Sequence, residues 1–124
     1  MQAAFTAVAA FDALYFHMGR LRLHARPETQ REHALHTANA CLFPVTVYFL
    51  YCGNFGGWAL LAGVGATVAT FALEVVDVVH EKRARAGFGG VSGAEGALHF
   101  AMGVLRAFAF AFALAGKPLG AFLP

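Results

Sequence analysis

The chain is poor in charge. Asp, Glu, Lys and Arg make up 13% of its 124 residues, about half the share of an ordinary soluble domain. Residues 37–73 contain none of these and no His. A soluble domain of this length cannot hide so much apolar surface in its own core, whereas a bilayer solvates it. Cysteine is scarce as well. Cys41 and Cys52 make neither a disulfide framework nor a metal-binding CxxC, and they read as packing residues. The net charge is +2, and the basic residues are confined largely to loops. That pattern speaks for membrane orientation and lipid headgroups, and against nucleic acid. No basic segment precedes the first apolar stretch, which Asp12 and His17 interrupt, so a cleaved signal peptide is not expected. Ser92 stands without a His/Asp partner pattern, and Gly-Phe-Gly-Gly at 87–90 lacks the GK[ST] of a phosphate loop.

What is present is four apolar segments, at about 3–19, 33–52, 58–80 and 95–115. Each is near the ~20 residues that a helix needs to cross a hydrocarbon core, and helices satisfy their own backbone groups in lipid. The expected fold is all-α, an integral membrane four-helix bundle forming one transmembrane domain over residues 1–124. Gly-Asn-Phe-Gly-Gly at 53–57 predicts a tight turn. Pro44 predicts a mild kink, and Gly63 and Gly65 predict close helix packing. The basic loops 20–31 and 82–94 carry Arg20, Arg22, Arg26, Arg31, Lys82, Arg83 and Arg85, while the turn and tail carry Lys117 alone. By the positive-inside rule both basic loops face the cytoplasm and both termini face outward. The expected location is the inner or plasma membrane of a bacterium. The bilayer is the first partner, with other membrane subunits or a second copy of the chain as further partners.

The two halves, 1–52 and 58–115, look alike. Asp12, a basic loop and Glu-His-Ala-Leu-His at 32–36 are matched by Asp77, a basic loop and Glu-Gly-Ala-Leu-His at 95–99. With both halves running in the same direction, this predicts two tandem helix-loop-helix repeats in parallel orientation.

The costly residues fall at one depth. Asp12 and His17 end the first segment, Glu32, His33 and His36 open the second, Glu74, Asp77, His80 and Glu81 end the third, and Glu95 and His99 open the fourth. All lie within about two helical turns, ~10 Å, of one boundary. Ionisable groups in membrane segments face the bundle interior and mark function. Glu32/His36 and Glu95/His99 are i, i+4 pairs, each on one helix face. Asp12, Glu32, His36, Glu74, Asp77, Glu95 and His99 are therefore candidate metal ligands, with His17, His33 and His80 as additional candidates. The order carboxylate, Glu/His, carboxylate, Glu/His resembles the ligand order of ferritin-like di-iron proteins. The pairs there are spaced i, i+3, so the angle between the two side chains differs here. Such ligands suit iron first, then zinc or manganese. A b-type haem held by His36 and His99 is the other cofactor considered. Arg106 sits mid-span on the fourth segment and needs a partner, either a carboxylate in an ion pair or an anionic group of a substrate. The expected function is metal-dependent redox chemistry on a lipophilic substrate or quinol. The alternative is a non-enzymatic membrane subunit, an assembly partner or a carrier of protons or metal ions.

Overall fold

A computed structural model describes the backbone of residues 2–20, 22, 25, 27–84 and 86–124; the side chains of residues 2, 16, 17, 20, 28, 82–84 and 88 fall outside that description. The candidate ligand His17 and much of both basic loops therefore lie outside the described side chains. The described residues form helices and no strand.

Helix α1 spans Gln2–Phe11 and continues into a π-helical stretch, Asp12–Arg20. A 3-10 turn at Pro27–Thr29 leads into α2, Gln30–Tyr51. Helix α3 spans Gly57–Ala84, and α4 spans Gly93–Ala115. The expected segments and the helices agree to within a few residues at each end. The π-helical stretch was not expected. Pro44 sits inside α2, whose helix runs through it.

Local chemistry explains the ends. Ser92 caps α4, its hydroxyl accepting from the Glu95 amide at 3.3 Å. Thr29 holds the matching place before α2 but makes no such side-chain bond. The likeness of the halves thus extends to Thr/Ser-x-x-Glu-x-Ala-Leu-His, residues 29–36 and 92–99. After Cys52 the chain turns, and Gly57 starts α3 with φ +56°, a conformation that favours glycine. The Lys117 ammonium donates to the Gly53 and Phe55 carbonyls and to Asn54 Oδ1, at 3.2 to 3.3 Å. The tail thereby folds back on the α2–α3 turn, and its 3-10 turn Leu119–Phe122 packs on α3.

Helix α2 packs along α3, and α1 packs against α4. Gly63 serves the first pair: a Cβ there would lie 2.9 Å from Phe49 Cβ. Gly65 has open space around it and no part in that contact. Cys41 and Cys52 are free and exposed, so they face away from the packing where the sequence suggested they would contribute.

Polarity is inverted. Among the described residues the buried hydrophobic side chains are few, Phe5, Leu50 and Leu60 the largest, while Asp12, Glu32, Asp77, Glu81, Glu95 and Arg106 are all buried. Large apolar side chains such as Trp58, Phe100, Phe108 and Phe112 are exposed. Two helices are long and apolar enough to cross a membrane, Gly57–Glu81 and Gly93–Ala115.

Candidate metal centre

The buried charges form rungs between helices. His36 Nε2 on α2 lies 3.2 Å from Asp77 Oδ2 on α3, an ion-pair contact with an angle poor for a hydrogen bond. His99 Nε2 on α4 hydrogen-bonds Asp12 Oδ2, at the start of the π-helical stretch, at 3.3 Å. These two contacts join matching positions. Each half gives its histidine to the aspartate of the other half.

The second half adds more around its histidine. His99 Nδ1 faces Glu81 Oε2 at 3.8 Å. Ligand-capable atoms of Glu81, Glu95 and His99 all lie within 4.8 Å of one another, with both carboxylates buried. Among the described residues this is the group of three able to hold a metal ion. Asp12 accepts from Nε2–H, and the other ring nitrogen, Nδ1, is the one that faces Glu81. A carboxylate behind a ligating imidazole is a recurrent feature of metal sites, because it fixes the tautomer and orients the ring.

Arg106 forms a separate rung. Its guanidinium donates to Glu74 Oε1 and to the Thr70 hydroxyl, and it stacks 4.6 Å from the centre of the Phe71 ring. Thr70 in turn donates to the Thr67 carbonyl at 2.7 Å, and Asn39 donates to Glu74 at 3.5 Å. Glu74 and Glu81 are seven residues apart on α3, as are His99 and Arg106 on α4. The two rungs are therefore two turns, ~10 Å, apart along the helices.

A cavity of about 450 Å³ lies between the helix pairs. Asp12, His36, Glu74, Asp77, His99 and Arg106 all line it. Glu95 stands beside His99, in the metal-capable group. Glu32 is buried at the start of α2 and does not line the cavity. His33 is exposed, and His80 donates Nδ1–H to the Val76 carbonyl of its own helix at 2.8 Å. Six of the seven expected ligands are thus divided between rungs, and Glu32 stands apart from them. Glu74 is engaged by Arg106, and its place beside an imidazole is taken by Glu81, one face-matched step further along α3. Glu81 was visible in the sequence at i+7 from Glu74, but its partners follow from how α3 and α4 align. Arg106 finds a carboxylate partner, as expected of a mid-span arginine.

Comparison with known proteins found no matching family model, no matching curated protein and no matching solved structure.

Proposed function

We propose that the chain is an integral membrane four-helix bundle that holds one divalent metal ion between Glu81, Glu95 and His99, for redox chemistry on a lipophilic substrate. The metal-capable group carries this reading: two buried carboxylates and an oriented imidazole from the facing ends of α3 and α4. Iron suits this donor set, with manganese and zinc next. Three protein ligands leave positions for water or substrate. Asp12 holds the ring in place and is a positioning residue.

Several observations support the membrane setting. A helix in the core of a soluble protein can be equally apolar, but it is mostly buried. The two apolar spans here are 22% and 11% buried, and their outward faces carry valine and phenylalanine. Helix α2 has 22 residues, about 33 Å of helix, and polar residues in its first turns dilute its hydropathy. The metal group lies at the α3 end that leads into the basic loop, so the positive-inside rule puts it near the cytoplasmic face. The exchanged His–Asp contacts support a tandem duplication, since both join equivalent positions.

Metal analysis of the purified protein in mild detergent tests the reading. After chelation and reloading with Fe(II), Mn(II) or Zn(II), one equivalent per chain is expected. Glu81→Gln should lose it and His36→Ala should keep it. Failure of all three metals to bind a folded, monodisperse sample would sink the proposal. A metal-free protein that becomes stable with partner chains alone would instead favour the accessory-subunit reading.

A further inference from the structure

The cavity lining has two unlike parts. Counted from the matching aspartates and histidines, Phe5 and Phe43 of the first half correspond to Thr70 and Arg106 of the second. Phe5 and Phe43 pack ring to ring at 5.4 Å, where the second half has the Arg106–Thr70 hydrogen bond. The lining thus has an aromatic part and an ionic part, which meet where the Arg106 guanidinium lies 5.9 Å from the centre of the Phe5 ring.

The ionic part carries no net positive charge. Arg106 is matched by Glu74. Asp12 and Asp77 add two further carboxylates, each beside an imidazole. With the carboxylates ionised, the lining is neutral when both imidazoles are protonated and negative otherwise. An anionic head therefore meets no net positive charge, and Arg106 is not an anion receptor. The lining is also richer in acceptors than in donors. Arg106 directs donors to Glu74 and Thr70, and Asn39 to Glu74, whereas each carboxylate offers about four lone-pair sites. A ligand here gains most by donating a hydrogen bond. The cavity falls within the range of small-molecule sites, about 300–1,000 Å³.

We propose that this cavity binds a neutral aromatic lipophile bearing a hydroxyl group, its ring against Phe5 and Phe43 and its O–H directed to the carboxylates. This names the substrate class of the proposed function and rests on its membrane setting, but binding at the cavity does not require the metal. Glu81 and Glu95 do not line the cavity, and His99 is common to both.

Equilibrium dialysis on protein in lipid nanodiscs, with empty nanodiscs subtracted, tests it with three probes of one ring system. 1-Naphthol should bind, while 1-methoxynaphthalene, which cannot donate, and 1-naphthoate, which is anionic, should each bind at least tenfold more weakly. Gly103 lines the cavity, and a Cβ there meets no atom within 4 Å. Gly103→Leu should therefore fill the cavity and reduce naphthol binding at least tenfold while the thermal unfolding midpoint holds. Equal or tighter binding of the methyl ether or the naphthoate overturns the proposal, as does unchanged naphthol binding in a folded Gly103→Leu. The wild-type probe series decides the question even where that variant does not fold. Metal uptake by the same samples is read separately: naphthol binding by protein that takes up none of Fe(II), Mn(II) and Zn(II) sinks the metal reading alone, and full metal without naphthol binding sinks this inference alone.

Discussion

His36 meets Asp77 at 3.2 Å and His99 meets Asp12 at 3.3 Å, so near one end of the helices the two halves of the chain look interchangeable. Further along the same helices they differ. Phe5 and Phe43 of one half stand where the other has Thr70 and Arg106, and Ala9 stands where the other has Glu74. Near His99 the difference recurs, since the position matching Glu81 is Phe16. The shared rung ties each half to the other, and a change there breaks a contact between helices. The positions beyond it are tied less closely, and the second half has gathered the ionic and metal-capable groups.

The largest effect expected from breaking this comparison is at Arg106. Arg106→Leu leaves Glu74 without its guanidinium, and removing one partner of a buried pair costs about 3–5 kcal/mol. The Glu74 side chain is 36% exposed, so solvent screens part of the lost contact and about 2 kcal/mol is expected here. The readout is unfolding in detergent. The double variant Arg106→Leu/Glu74→Leu should recover much of the loss, because it removes both charges. A double variant no more stable than the single would show that the ion pair is not the cause.

The next effect sharpens the asymmetry within the symmetric rung. Asp12→Asn weakens the orientation of His99 and should lower metal affinity about 10–100-fold. Asp77→Asn acts on His36, which has no part in the metal group, and should leave affinity unchanged. Competition with a chelating dye measures both. Equal losses in the two variants would argue for a symmetric site.

The smallest effect concerns the caps. Ser92→Ala removes the bond to the Glu95 amide and should cost about 1 kcal/mol. Ser92→Asp keeps an acceptor at the helix start and should restore most of it. Amide exchange in the first turn of α4 would show the loss locally.

Much of this could be read in the chain beforehand. Helix positions follow from apolar length, and the matching places of His36 and His99, and of Asp12 and Asp77, can be read from Glu-His-Ala-Leu-His and Glu-Gly-Ala-Leu-His. What escaped reading depends on how helices lie against one another. Glu74 and Glu81 share a face of α3, and nothing within α3 says which of them meets an imidazole and which a guanidinium. The alignment of α3 against α4 decides it. Glu32 matches Glu95 in sequence, yet Glu95 is the one that stands in a metal-capable group, because its half also supplies Glu81 where the first half has Phe16. The outward turn of Cys41 and Cys52 has the same origin, since a uniformly apolar helix does not mark its buried side.

The Lys117 tether has a practical consequence. It makes the residues after Ala115 part of the α2–α3 end, with Gly56 packed 3.3 Å, as measured from a built Cβ, against the Ala121 carbonyl. A purification handle fused after Pro124 would pull on that knot, opposite the proposed metal end. A removable handle before Met1 leaves it tied, and it is the better choice for every measurement named above.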